Sequence, residues 1–215
     1  MCWSVPVLLE RVGKTYGSVR ALTDVSARFE GGTTNVVEGP NGSGKSTLLA
    51  IVATLVKPTF GKVDHGELGP SAAEVRSRLG WVGHDSLCYP DLSGRENIEL
   101  AARLCGEDPK SSYLRAAERF KLGGFVDRAF RTYSRGQRQR VSLARSLVHA
   151  PALLLLDEPS TGLDHDGIEL LKRVVGEEAN AGSVVLVITH DRSFADGLNS
   201  KRFRMDRGRL TAAGT

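Results

Sequence analysis

The chain has 215 residues and a mass of 23.2 kDa. A domain of that size buries roughly 70% of the surface its unfolded form exposes, so neither disulfides nor a structural metal is required to hold it. With 40% hydrophobic and 25% charged residues it is excluded from the disordered and fibrous classes. The longest strongly apolar runs, 152–156 and 184–188, fall far short of the ~18 residues that a membrane span needs. Residues 1–12 lack the basic flank and apolar core of a signal peptide. The expectation is a cytoplasmic protein whose membrane role, if it has one, comes through a partner. Cys2, Cys88 and Cys105 make an odd count without CxxC spacing, which reads as incidental thiols in a reduced compartment. The net charge of +4 permits polyanion binding. Lys201, Arg202, Arg204, Arg207 and Arg209 cluster near the end, yet only Phe203 lies among them to stack on a base, so they read as a solvated hairpin and no nucleic acid is expected.

In chain order, the N-terminal third looks strand-rich. Over 23–30, apolar Val25, Ala27 and Phe29 alternate with polar Asp24, Ser26, Arg28 and Glu30, the pattern of an antiparallel strand with one wet face. Gly31-Gly32 turns the chain into a second strand over 33–38. A glycine-rich loop follows, and Leu48, Leu49, Val52, Leu55 and Val56 then predict a helix over 46–56, ended by Pro58 and Gly61. After a short apolar segment at 79–83, Ser93 and Glu96 form a capping box opening a helix through Ile98, Ala101, Ala102 and Cys105. Further helical stretches near 110–121 and 137–149 make 85–149 read as a helical insertion. Strand–helix alternation returns after Pro151, with strands at 153–156 and 184–188 and a helix near 168–179. Continuous apolar strands alternating with helices imply a parallel sheet covered on both faces. The expectation is one α/β domain over 1–215.

Gly39-Pro40-Asn41-Gly42-Ser43-Gly44-Lys45-Ser46-Thr47 fits G-x-x-x-x-G-K-[ST] after a strand and at the opening of a helix. Glycines let backbone N–H groups curl around a phosphate and the helix N-terminus adds its positive end. Lys45 reaches the β- and γ-phosphates, and Ser46 can ligate Mg²⁺. The apolar run 153–156 ends in Asp157-Glu158, placing one carboxylate where P-loop enzymes hold Mg²⁺ and the next where it could accept a proton from water. In isolation that pair reads as a helix N-terminal turn; beside the glycine loop it reads as the second half of a site.

With these residues the chain resembles the ATP-binding subunits of ABC transporters over nearly its whole length. Tyr133-Ser134-Arg135-Gly136-Gln137 resembles the family's Leu-Ser-Gly-Gly-Gln signature, and Ser134 lies 23 residues before Asp157 as in the family. Ser160-Thr161-Gly162-Leu163-Asp164 resembles the D-loop, His190 the switch histidine, and Tyr16 the aromatic residue stacked on adenine. The resemblance implies a P-loop fold with a RecA-like parallel-sheet core, an N-terminal antiparallel β subdomain and an inserted helical subdomain. It also implies ATP sandwiched between two copies of the chain. In such a homodimer the P-loop residues 39–47 (Gly39, Asn41, Gly42, Ser43, Gly44, Lys45, Ser46, Thr47) of one copy face Ser134, Gly136 and Gln137 of the other. Glu158 would be the base, Ser46 and Asp157 would hold Mg²⁺, His190 would sit near the γ-phosphate, and separate integral-membrane subunits would carry the cargo.

Two residues depart from the family pattern. Arg135 stands where the first signature glycine should be, and His84 stands where the Q-loop glutamine should be. An imidazole there can bind a metal-bound water or relay contact to a partner, with a charge that depends on pH near neutrality. Residues 79–84 with 92–100 resemble the haem-exporter ATPase of cytochrome c maturation, which also tends to carry histidine here. The competing expectations are an exporter ATPase for another substrate, a soluble ABC ATPase acting on ribosomes or DNA, and a nucleotide-binding regulator without turnover.

Overall fold

The computed structural model describes residues 6–83 and 85–213. Two sheets are present among them. Strands β1 (Val7–Tyr16), β2 (Val19–Phe29) and β4 (Phe60–Asp64) form an antiparallel sheet in the order β2-β1-β4. The second sheet has six strands, ordered β5-β6-β7-β3-β8-β9. They are β5 (Leu79–Val82), β6 (Leu153–Asp157), β7 (Val184–Ile188), β3 (Thr34–Glu38), β8 (Ser200–Asp206) and β9 (Arg209–Ala212). All neighbours in it run parallel except β8 and β9.

The parallel sheet separates two hydrophobic cores, and strand period decides which residue enters which. In β6, Leu154 and Leu156 join Val36, Val185 and Val187 beneath the helical side, while Leu153 and Leu155 join Val37, Val184 and Leu186 beneath α1 (Lys45–Val52) and the antiparallel sheet. All four leucines are 0% exposed, the burial expected of a central parallel strand with both faces covered.

Between β5 and β6 the described backbone holds α3 (Gly94–Leu104), α4 (Pro109–Arg119), α5 (Arg135–Ser146) and short 3₁₀ turns, with no strand beyond a single Ser93–Ala129 bridge. The capping box at α3 is complete: Ser93 Oγ accepts from the Glu96 N–H, and the Ser93 N–H donates to Glu96 Oε2 at 2.7 Å. Beyond β6 lies α6 (His165–Asn180), capped by Asp164.

One local reading is corrected. The first helix ends at Val52 instead of 56. Thr54 takes φ 60 while Leu55 N–H and Thr54 N–H bond back to Ala50 O and Ile51 O, a Schellman closure that needs no glycine in the sequence. The segment after Pro58 is an edge strand, β4, held by β1. The basic C-terminal segment forms the expected hairpin, β8 and β9, with Lys201, Arg204, Arg207 and Arg209 exposed, and its first strand lies inside the sheet, between β3 and β9. In it Lys201 pairs with Glu30 and Arg202 with Asp196, while Phe203 packs edge-on to Phe29 and Met205 is fully buried.

Candidate active site

Strands β3, β6 and β7 run parallel, so the glycine-rich loop, Asp157-Glu158 and His190 all follow strand ends on one edge of the sheet. The glycine-rich loop leaves β3 and enters α1, whose first turn holds no acidic side chain, so its positive dipole end is uncompensated. Gly44 is the N-cap at φ 108, and a Cβ there would lie 2.5 Å from Ala21 O; Gly42 sits at φ 77. Only glycine makes this cradle without strain. Lys45, 7% exposed, donates from Nζ to Gly39 O at 2.8 Å and Pro40 O at 3.0 Å, which folds its ammonium back over the loop. Ser43 Oγ is buried and has no hydrogen-bond partner. An unsatisfied donor inside a glycine cradle, beside an ammonium and a helix N-terminus, fits a phosphate group.

The pocket over this loop encloses about 470 Å³ and is lined by Asn41, Gly42, Gly44, Lys45, Ser46, Thr47, Asp157 and Glu158, with Val19 to Ala21 at its rim. That volume falls within the range of roughly 300–1,000 Å³ typical of small-ligand sites. Tyr16 ends β1 three residues before Val19, 48% exposed, with Lys14 Nζ 4.9 Å from its ring centre; it does not line the pocket.

At the opposite wall the Ser46 hydroxyl donates to Asp157 Oδ2 at 3.1 Å. Two hard oxygen ligands from the protein suit Mg²⁺, which takes its remaining ligands from phosphates and water. No group of three or more His, Cys, Asp or Glu residues that could hold a metal occurs among the described residues. Glu158 has φ 51, unusual for a non-glycine residue, and its N–H is tied to Ile188 O at 2.9 Å. Strain of this kind, of order 1–3 kcal/mol, persists where surrounding structure imposes it and is concentrated at working sites. The bent backbone turns the Glu158 carboxylate to His190, whose Nδ1 lies 2.8 Å and whose backbone N–H lies 3.3 Å from Oε2.

That carboxylate raises the His190 pKa above its usual 6.5, chiefly by the hydrogen bond and then by charge attraction. The pair's contribution to stability is therefore complete below about pH 6.5 and is lost as pH rises through the higher folded value. In an NMR titration His190 should deprotonate above 6.5, and Glu158→Gln should bring it back toward that value. A His190 midpoint unchanged by the substitution would show that the contact does not exist in solution.

The segment around Ser134 lies elsewhere. Ser134 caps α5, accepting from Gln137 N–H while Gln137 Oε1 accepts from Ser134 N–H. None of Ser134, Gly136 or Gln137 lines the pocket over the glycine loop. Between that pocket and α5 runs an adjoining cleft of about 850 Å³, which shares Asn41, Asp157 and Glu158 with the pocket and is lined also by Thr161, His190, Arg135 and Arg138. Residue 84 lies outside the described residues, as does Cys2.

Two residues position this region without having stood out in the sequence for that role. The buried Tyr133 hydroxyl donates toward Val126 O at 2.9 Å and accepts from Gly94 N–H at 2.8 Å, tying the start of α3 to the start of α5. Gln139 Nε2 donates to Pro159 O at 2.9 Å, linking α5 to the turn after Glu158. A family model described as ABC transporter matches residues 22–161, the span running from β2 through the glycine loop to Thr161. The chain belongs to the ABC transporter ATP-binding family.

This ABC cassette is 36% identical over 214 residues to the daunorubicin resistance ATP-binding protein DrrA3 of Streptomyces coeruleorubidus, covering 97% of this chain and 68% of that one. It is 37% identical over 164 residues to the cytochrome c biogenesis ATP-binding export protein CcmA 2 of Cupriavidus metallidurans, covering 75% of this chain and 78% of that one. A dimeric, post-hydrolysis structure of the ATP-binding cassette MJ0796 bound to ADP and Pi superposes with a TM-score of 0.81 at 29% identity, covering 97% of this chain and all of that one. The chain is thus an ATPase cassette built on the P-loop α/β fold. No helix among its described residues is long and apolar enough to cross a membrane.

Proposed function

We propose that two copies of this cassette close head-to-tail around two Mg-ATP molecules and drive transport along a path that belongs to separate membrane subunits. Residues 1–215 act as one cassette at the cytoplasmic face of the membrane, with 85–149 as the inserted helical part. The observation that carries the reading is the array Ser46–Asp157, Glu158–His190 against a glycine cradle that holds Lys45. The backbone N–H groups of 42–47 and the Lys45 ammonium bind the β- and γ-phosphates, and Tyr16, standing clear of the pocket at its adenine end, is available to stack on the base. Mg²⁺ when bound, held by Ser46 and Asp157, neutralises charge on the phosphate oxygens. Glu158 orients and deprotonates the attacking water, and His190 fixes the Glu158 carboxylate and would serve as a hydrogen-bond donor to the γ-phosphate. Ser134, Gly136 and Gln137 supply the anion-binding end of α5 to the nucleotide on the other copy. Their separation from the pocket over their own Lys45 supports completion of the site in trans. His84, at the Q-loop position of the sequence, would serve as a metal-water ligand or a relay of closure to the membrane subunits.

An export role is supported by the name of one relative, the cytochrome c biogenesis ATP-binding export protein. Haem export is the narrower reading, supported by the CcmA 2 likeness and by His84. Deleting the gene should then abolish c-type cytochromes, read by haem staining of gels, while other haem proteins persist. Normal c-type cytochromes in a strain without a second copy would remove haem as the cargo and leave an exporter of another substrate.

A further inference from the structure

Helix α5 belongs to the helical insertion and Glu158 to the parallel-sheet core, and a single side-chain amide bonds one to the other. Positions 135 and 139 lie four apart, so they share a face of α5, and that face meets the loop that follows Glu158. Gln139 Nε2 donates to Pro159 O at 2.9 Å. The stem of Arg135 lies along Gly162, at φ 76, where any Cβ would overlap its Cδ, Nε and Cζ atoms. Pro159 is buried, and no backbone N–H among the described residues reaches its carbonyl. Gln139 is the donor that satisfies this oxygen.

That carbonyl is the next handle along the chain from a strained residue. Glu158, at φ 51, is held by its own N–H on Ile188 O at 2.9 Å and by the Thr161 N–H on Glu158 O at 3.2 Å. The Ser160 hydroxyl donates to the Asp191 carboxylate, which fixes the same turn from the His190 side. Those three bonds lie within the core; the Gln139 bond is supplied by the insertion. A strained conformation persists only while its surroundings over-determine it. Without Gln139 the buried Pro159 carbonyl has no donor. The peptide rotation that would bring it to water also relaxes residue 158 and swings its carboxylate away from His190.

We infer that Gln139 is a positioning residue for hydrolysis: it holds the turn after Glu158 in the conformation that aims the carboxylate at the attacking water. Alignment of the base then depends on how α5 is seated against the core. The inference rests on the reading of Glu158 as the base. Gln139 does not line the pocket over the glycine loop, so its part lies in the chemical step and not in holding nucleotide.

Gln139→Met keeps an unbranched side chain of similar length and removes the donor; residue 139 is only half-buried, so the fold tolerates the change. Turnover at saturating Mg-ATP should fall about 5- to 100-fold, the range for leaving one buried carbonyl unpaired, while KM and the ATP affinity of the chain stay within about two-fold of wild type. Gln139→Lys, which returns an N–H donor, should recover most of the loss. In an NMR titration of Gln139→Met the His190 midpoint should fall toward 6.5, because the Glu158 contact that raises it is loosened while Asp191 and Lys45, which also act on His190, are untouched. Added to Glu158→Gln, Gln139→Met should lower turnover no further, since the base it positions is already absent. Wild-type turnover in Gln139→Met, a fall in turnover with the His190 midpoint unmoved, or a Gln139→Lys chain no better than Gln139→Met would overturn the inference. A Glu158→Gln chain that hydrolyses ATP like wild type would instead overturn the reading of Glu158 as the base and take this inference with it.

Discussion

Lys45→Ala should lower ATP affinity about 10- to 100-fold and turnover by a further 10²–10³-fold. The ammonium of Lys45 is nearly buried and rests on Gly39 O and Pro40 O, so it is already beside the cradle when nucleotide arrives and has little ordering entropy left to lose. The variant keeps the positive helix end and the glycine backbone, which is why some binding should survive. Its melting temperature should stay near wild type, since the two carbonyls released are at the mouth of an open pocket and water can reach them. Isothermal titration with Mg-ATP, alongside a phosphate-release assay, separates the two effects. Wild-type turnover in the variant would remove the glycine loop from the mechanism.

Glu158→Gln should have the larger effect on chemistry and almost none on binding. The amide preserves the shape and can still accept from the His190 backbone N–H, so the strained φ at residue 158 and its tie to Ile188 O should persist. It cannot take a proton from water, and general-base catalysis typically contributes 10²–10⁴-fold. Turnover should fall by about that factor while ATP remains bound and unhydrolysed, as chromatography of released nucleotide would show. A variant that hydrolyses ATP within a few-fold of wild type would move the base to another residue.

Much of this site was legible because its signals are local. The glycine loop carries its own backbone requirement, and each of Gly42 and Gly44 occupies a left-handed conformation in the structure. The four leucines of 153–156 announced a strand buried on both faces, and they divide alternately between the two cores. The Ser93 and Glu96 capping box is a signal spanning four residues and is present bond for bond. What the sequence left unread depends on distant partners. Strand β4, with Gly61 and exposed Phe60 and Lys62, has no apolar alternation of its own and exists because β1 offers it an edge. Helix α1 stops at a threonine in a conformation that favours glycine, because Leu55 and Thr54 find carbonyl acceptors on the preceding turn and Arg76 donates to the Thr54 hydroxyl. The frequent charges of the last hairpin marked it as solvated, and most of them are exposed, but the place of β8 between β3 and β9 depends on pairing with a strand far away in sequence. The Tyr133 and Gln139 hydrogen bonds cross 39 and 20 residues and leave no mark in local composition. The Glu158–His190 contact was anticipated only as two roles in one mechanism; its geometry follows from the parallel pairing of β6 and β7, which brings both strand ends to one edge.

The central claim is that ATP, held on one copy, is enclosed by the Ser134 end of α5 from another. Sedimentation equilibrium of the Glu158→Gln chain with saturating Mg-ATP, with bound nucleotide quantified in the same sample, tests it most directly. The account predicts a particle of twice the monomer mass carrying two ATP molecules, which reverts to monomer when Ser134→Arg blocks the cap or when ADP replaces ATP. A chain that stays monomeric with one ATP bound, or a dimer indifferent to nucleotide and to Ser134, would contradict it.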